Sequence, residues 1–482
     1  MVAVFRIIGC KNGEKHYFYW VDNPCSKEMP QHSIHERNIQ ADHAHAENIG
    51  QTGCFADTLD DRTRRRYRGF GIAACCFGCF TEVLMDSTAV FILYMIALGA
   101  SNTVAMLSTS FTGLGSMLFY IPASGLVSRF GYRKTVNVSG LLAFLSYMLM
   151  AAAPLAGETL ARHVALAGCL AFCLTRSVWG ASWYYVLSQI LRPCDRAGFF
   201  GFLRFCYFTA TGLTFFLIGL AMGKEPPRWF LQAVLAGVGC LVLLRNYFIS
   251  RINLPDEGHG AYDLRKAFGI SVRNAPLVGF AIYVCFLCIS FNAVIPLALL
   301  YLKKGLAFNS NLVQILSTVG IAGSVSGYLL YSVLVRRIGI RLVELLIHAL
   351  YILIPLGLFG CFAELPGLPY AVGVLLFLAY LALALFGCTL SQEILALGRP
   401  GNATMATALV STYQNFGIFA SRTASSLLLG HGILSATWQC GSYTATQFQT
   451  IFLICATFAV FSLVILLAIP SIIPKHDDFY NP

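Results

Sequence analysis

Three observations in this 482-residue sequence predict an all-α membrane protein of twelve transmembrane helices in two six-helix bundles. It is 57% hydrophobic and 11% charged, against about 45–50% and about 25% in soluble domains. Its apolar residues gather into runs of about 20 or more, the length a helix needs to cross about 30 Å of hydrocarbon. Two loop motifs recur half a chain apart, as an internal duplication requires.

The first element is a polar tail, residues 1–68, with 10 Lys/Arg and 9 Asp/Glu, whereas the remaining 414 residues hold 23 and 13. It carries His16, His32, His35, His43 and His45 with Cys10, Cys25 and Cys54, in spacings that match no compact zinc site. We expect it to be disordered and cytoplasmic, or to precede a true start such as Met29. A faint lipoprotein-like Ile7-Ile8-Gly9-Cys10 follows too short an apolar stretch, broken by Arg6.

The first bundle, 69–249, contains apolar runs near 69–98, 103–127, 134–154, 163–190, 198–222 and 229–249. A polar linker, 250–275, carries Pro255, Gly258 and Gly260 and is expected on the cytoplasmic surface. The second bundle, 276–470, has runs near 276–302, 312–335, 342–362, 369–393, 403–430 and 447–470, followed by a tail, 471–482. Continuous apolarity, rather than ten-residue alternation, selects helices over barrel strands. The 17 cysteines fall mostly inside apolar runs and read as small packing residues. Cys76 and Cys79 have metal-ligand spacing but no second pair beside them.

Lys and Arg divide 20 to 5 between the two sides of such a chain, with Arg245 counted among the linker charges. The positive-inside rule then places both termini in the cytoplasm. The net charge of +11 is thus mostly orientation, and no nucleic-acid partner is implied.

The duplication shows in the loops. Leu126-Val127-Ser128-Arg129-Phe130-Gly131-Tyr132-Arg133 is matched by Leu334-Val335-Arg336-Arg337-Ile338-Gly339-Ile340-Arg341 at an offset of 208. Arg192-Pro193-Cys194-Asp195 is matched by Arg399-Pro400-Gly401-Asn402 at 207. The run Gly125 to Lys134 resembles the loop signature G-x-L-x-D-R-x-G-R-R/K of the major facilitator superfamily of secondary transporters. Pro193, Arg196, Gly198 and Gly201 are similar to its weaker companion, P-x-x-R-x-G.

The resemblance implies alternating access between two bundles, with helices 1, 4, 7 and 10 lining a central cavity. It assigns a gating role to Gly125, Ser128, Arg129, Gly131, Arg133 and Lys134, and to Arg337, Gly339 and Arg341 in the repeat. Ser128 stands where the family has an Asp that faces the N-terminus of helix 11, so this contact should be weaker here. These cations serve equally well as topology charges at helix ends.

A charge at mid-membrane costs at least about 2.5–3.5 kcal/mol, so the few present are candidate functional groups. Glu82 and Asp86 share one face of helix 1 at i, i+4, where two carboxylates favour one shared proton. They are the expected proton-coupling pair. Arg176, Trp179 and Trp183 share a face of helix 4 and are expected substrate contacts, the guanidinium for an anion and the indoles for a ring. An arginine–carboxylate bridge is the structural alternative. Asn292, one turn before Pro296 in helix 7, and Arg422 in helix 11 complete the candidate solute site. Gln414 and Asn415 add uncharged polar groups to helix 11. Arg204 is expected to snorkel to the cytoplasmic face. Glu344 and Glu393 are expected to pair with Arg337, Arg341 or Arg399.

No Walker A sequence, nucleophile elbow or H-E-x-x-H pattern occurs, so neither ATP hydrolysis nor an enzymatic reaction is indicated. Helix 5 also lacks the G-P-x-x-G-G run of drug–proton antiporters. The expected protein is a monomeric secondary transporter of the plasma membrane. It carries a small polar or anionic solute by symport on an ion gradient, H⁺ being favoured, without a cofactor or metal. Its partners are the solute and the lipid bilayer. Efflux of amphipathic compounds, or ligand sensing without transport, are the alternatives.

Overall fold

The computed structural model describes residues 55–191, 196–254, 264–398 and 402–469. The expectations for the histidine-bearing tail before residue 55, the linker Pro and Gly residues, Arg399 and the C-terminal tail fall outside these residues. So does the side chain of Ser128.

The first bundle comprises α1 (Asp61–Ser87, continued after a break by Val90–Ala97), α2 (Asn102–Phe130) and α3 (Tyr132–Ala152). It is completed by α4 (Glu158–Ile190), α5 (Arg196–Met222) and α6 (Arg228–Ser250). In the second, α7 runs Ala275–Phe291 and, after a break, Val294–Leu300. One continuous run, Ser310–Phe359, follows. The last three are α10 (Leu368–Leu397), α11 (Ala403–Gly430) and α12 (Gln447–Ala468). A short helix, Leu264–Val272, lies in the linker.

The 50-residue run cannot be one span, because at 1.5 Å per residue it would be about 75 Å long. Gly339, with φ 78° and ψ 160°, divides it into α8 (310–338) and α9 (340–359). Gly131, the matching residue of the first half, has φ 78° and ψ 151° and is all that separates α2 from α3. A residue with a Cβ resists this region, so both repeats place glycine there. Ten of the described helices are long and apolar enough to cross a membrane, the 50-residue run counting once. Its division and the more polar α11 bring the spans to twelve.

Where a helix starts is set by its cap rather than by the lipid boundary. The sequence places the start of helix 1 at 69, yet α1 begins at Asp61, because Asp60 accepts a hydrogen bond from the Thr63 amide at 3.1 Å. The hydrogen bonds from Thr63 hold the Asp60 carboxyl below its ordinary value. Arg64 adds an ion pair with Asp61 at 3.1 Å. Likewise, α12 opens with a capping box of Thr446 and Gln449. The fold holds one β element among the described residues, which apolar runs alone do not disclose. It is a hairpin of β1 (Thr437–Cys440) and β2 (Tyr443–Thr446) between α11 and α12, pairing Trp438 with Ala445.

The bundles meet along two seams, α2 against α11 and α5 against α8. The duplication relates α2 to α8 and α5 to α11, so each seam is the image of the other. Lipid offers no hydrophobic drive between helices, and small residues let the backbones approach instead. A Cβ on Gly113 of α2 would lie 2.6 Å from the Phe419 amide nitrogen and 2.8 Å from the Asn415 carbonyl oxygen of α11. Gly113→Val is therefore expected to force this seam apart, costing about 1–3 kcal/mol or more. It should lower the thermal unfolding temperature, whereas Gly237→Ala, inside α6 where nothing lies within 4 Å, should not lower it and is expected to raise it slightly.

Candidate functional site

The centre of the molecule is organised by two helix interruptions. Backbone groups freed inside the membrane must be paired by protein. At the α1 break, the Ala89 amide donates to Gln314 Oε1 of α8 at 3.1 Å. The Tyr380 hydroxyl of α10 donates to the Ser87 carbonyl at 2.7 Å. At the α7 break, the Asn292 carbonyl has no i+4 amide to accept from, because residue 296 is proline. Arg422 Nε of α11 fills that position at 3.1 Å, and the Ala293 amide donates to Ser421 Oγ at 3.2 Å. The first helix of each bundle is thus broken at an equivalent place, and the α1 break is held by the opposite bundle.

Asp86 sits one residue before the α1 break and joins two arginines. Arg176 Nη1 of α4 donates to its Oδ2 at 2.5 Å, and Arg422 Nη1 lies 3.2 Å from its Oδ1. Arg422 Nη1 also donates to the Thr109 carbonyl at 2.7 Å and to Thr112 Oγ1 at 2.9 Å, both on α2. One side chain therefore holds α1, α2, α7 and α11 together. Glu82 is held more loosely, its Oε2 3.8 Å from Arg176 Nε. The two carboxylates are thus organised by guanidinium groups rather than by one another. The Arg422 side chain is 7% exposed, whereas those of Asp86, Arg176 and Glu82 are 24%, 26% and 28% exposed. The cluster is closed on the Arg422 side and accessible on the Arg176–Glu82 side.

A further arginine, assigned to the linker in the sequence reading, lies inside this assembly. Arg245 of α6 is 3% exposed, and its guanidinium stands 4.4 Å from the centroid of the Trp179 ring. Gly78 of α1 makes room for it, since a Cβ there would lie 2.6 Å from Arg245 Cδ. Arg245 makes no ion pair among the described residues, and its Nε is buried without a hydrogen-bond partner. Nothing in composition separates Arg245 from a topology charge. Only the five residues by which α6 continues beyond it to Ser250 could have flagged it. Three guanidinium groups thus share the neighbourhood with two carboxylates.

The indoles are placed differently from the expectation. Trp179 and Trp183 stack on each other at 5.2 Å and 24°. Both are buried among Ala74, Val186 and Ile190 rather than presented to open space. The i, i+3, i+4 and i+7 positions share a helix face, but that periodicity does not say whether a neighbouring helix covers it.

Arg204 does not snorkel. It reaches across the second seam to Cys388 Sγ at 3.0 Å and Ser391 Oγ at 3.3 Å of α10, with its guanidinium 4.9 Å from the Tyr328 ring. Asn415 Nδ2 bonds back to the Ser411 carbonyl of its own helix at 2.7 Å. Glu344 is paired with Tyr283 rather than with Arg337 or Arg341, since it faces the bundle interior while both arginines are exposed.

Of the loop residues, Arg133 Nη2 donates to Asn253 Oδ1 at 2.5 Å, and the neighbouring Tyr132 hydroxyl to the Ile252 carbonyl at 2.5 Å. These contacts tie the α2–α3 joint to the end of α6. Arg129 lies over Phe130, and Gly125 packs on Leu264 of the linker helix. Lys134, Arg337 and Arg341 are exposed.

Two six-helix bundles, broken lead helices and a central charge cluster that joins the bundles define a multi-pass membrane protein of the transporter class. The match to the family model of the Major Facilitator Superfamily spans residues 70–422. The chain belongs to the major facilitator superfamily, a family of transporters and not of enzymes. No curated protein matches its sequence. Among solved structures it is similar to the nucleoside transporter NupG, with TM-score 0.60 and 15% identity over 86% of this chain and 99% of that one. It is also similar to a partially occluded, inward-open xylose transporter XylE from E. coli, with TM-score 0.63 and 12% identity over 85% and 99%. A bacterial homologue of the iron transporter ferroportin gives TM-score 0.54 and 14% identity over 85% and 99%. At these identities the likeness concerns the fold.

Proposed function

We propose that the chain is a secondary transporter of a small anionic solute, moved by alternating access together with a proton. The observation that carries this reading is Asp86 held between Arg176 of one bundle and Arg422 of the other. A solute carboxylate or phosphate entering from the accessible side competes with Asp86 for these guanidinium groups. Asp86, once displaced, is a carboxylate without its cations in a site of low dielectric, which favours taking up a proton. Anion and proton then cross together, with no net charge added for a monoanion. Arg245, the third cation of the neighbourhood, favours an anion over a neutral solute. Efflux of amphipathic compounds fits less well, because the centre is charged and its indoles are packed.

The Lys/Arg asymmetry supports an orientation with both termini in the cytoplasm, and the plasma membrane is the proposed location. Here Asn292 positions Arg422 through its carbonyl, and the indoles hold Arg245 in place.

The test is a thermal-shift screen of the purified protein against carboxylates, phosphates, nucleosides, sugars and amines at two pH values, followed by counterflow in vesicles. A ligand at one hundred times its Kd stabilises by about 2.7 kcal/mol. Anions are expected to shift unfolding upward and to show counterflow. Stabilisation by uncharged sugars alone, or binding without counterflow, would refute the reading.

A further inference from the structure

A second cluster of titratable groups lies inside the second bundle, apart from the Asp86 site. Glu344 and His348 are one turn apart on α9 and face Tyr283 of α7, at 1%, 0% and 1% exposure. The Tyr283 hydroxyl is 2.7 Å from Glu344 Oε1 and 3.3 Å from His348 Nε2. Its ring lies against the imidazole at 5.9 Å and 26°. His348 Nδ1 is 2.9 Å from the backbone carbonyl oxygen of Glu344. Glu344 Oε2 is buried with no hydrogen-bond partner.

Hydrogen-bond counting restricts how protons are distributed here. A carbonyl oxygen only accepts, so Nδ1 carries a proton, and Nε2 of a neutral ring is then an acceptor. The Tyr283 hydroxyl has one proton and two neighbours, so it donates to one and accepts from the other. Two arrangements satisfy this. In the first, protonated Glu344 donates to Tyr283 and Tyr283 donates to neutral His348. In the second, the His348 imidazolium donates to Tyr283 and Tyr283 donates to the Glu344 carboxylate. They interconvert when the Glu344 proton passes to the phenol oxygen as the phenol proton passes to Nε2, so atoms and charge are conserved.

Both arrangements are neutral as a whole. Gain or loss of a proton would leave an uncompensated charge in a dry interior. No Lys or Arg pairs with Glu344 among the described residues. Of the surrounding elements, α7 adds Cys288, α9 adds Tyr351, whose hydroxyl is also buried without a partner, and α10 adds Glu393. In α12 the one titratable group is Cys455, and no charged side chain occurs. Arg336, Arg337 and Arg341 stand at the α8–α9 joint, outside the cluster. A carboxylate oxygen left without a partner is the costlier state, so the first arrangement is the resting one.

We propose that Glu344, Tyr283 and His348 form a buried proton-binding site, which holds one proton exchanged between carboxylate and imidazole through the phenol. Its use rests on the transport reading given above. When the bundle rocks and water reaches the α7–α9 contact from one side, the proton leaves or enters on that side, separately from the solute site.

Infrared spectroscopy of the full-length protein in lipid nanodiscs tests this without any solute. A deuterium-sensitive carboxylic-acid carbonyl band is expected that is lost in Glu344→Gln and kept in Asp86→Asn. Tyr283→Phe and His348→Asn should each move it, since each removes a link in the relay. A wild-type spectrum without such a band, or one unchanged in Glu344→Gln, overturns the proposal. Should Glu344→Gln fail to fold, a band unmoved by both Tyr283→Phe and His348→Asn overturns it equally. Because no transport is measured, failure here leaves the transport reading standing, and failure of counterflow leaves this site standing.

Discussion

Arg422→Leu is expected to abolish counterflow and to destabilise the protein by about 3–5 kcal/mol, the cost of breaking a buried ion pair from one side. Four partners lose their donor at once: Asp86, Thr112, and the carbonyls of Thr109 and Asn292. The Asn292 carbonyl cannot recover an amide, because Pro296 has none to give. Thermal unfolding of the purified variant measures the first effect and vesicle counterflow the second. Arg422→Lys should restore only part of either, since one ammonium cannot reproduce the fork that spans α1, α2 and α7. Wild-type stability in Arg422→Leu would show that the four contacts do not hold the bundles together.

The second large effect concerns coupling. Glu82→Gln combined with Asp86→Asn leaves the three guanidinium groups without carboxylates. An anion is expected to bind this protein more tightly and still to undergo counterflow. Accumulation driven by a pH gradient should fall by about 5–150-fold, the usual range of a coupling free energy between two ligands. The measurement is uptake into vesicles with and without an imposed gradient. Gradient-driven accumulation equal to wild type would remove both acids from the coupling step. Comparison with Glu344→Gln then separates the two proposed proton sites, since they lie in different bundles.

The twelve spans and their twofold repetition were legible in the sequence because the bilayer imposes a length and an apolarity that survive in a one-dimensional reading. The loop repeat was legible to the residue, Gly131 and Gly339 adopting the same left-handed conformation. Asp86, Arg176 and Arg422 stood out because charges inside apolar runs are costly, and the structure brings all three together. Less was legible where the outcome depends on which helix faces which. Arg245 resembles any arginine near a helix end until α1 and α4 close over it. Trp179 and Trp183 share a face with Arg176, yet packing against α1 and α6 buries them. Glu344 lies close to basic residues in sequence, but its position on α9 turns it inward to a tyrosine. The break in α1 carries no proline, and the groups that pair its freed backbone, Gln314 and Tyr380, reach in from the other bundle.

The one-residue joints at Gly131 and Gly339 bear on kinematics. A hinge this short stores no slack, so displacement of α2 is handed on to α3, and that of α8 to α9, with little lost between them. In the proposed rocking motion each such pair is expected to move as one arm, while the α2–α11 and α5–α8 seams are the surfaces expected to slide. Spectroscopic labels placed across a joint therefore supply a constant reference length, against which labels placed across a seam report the stroke.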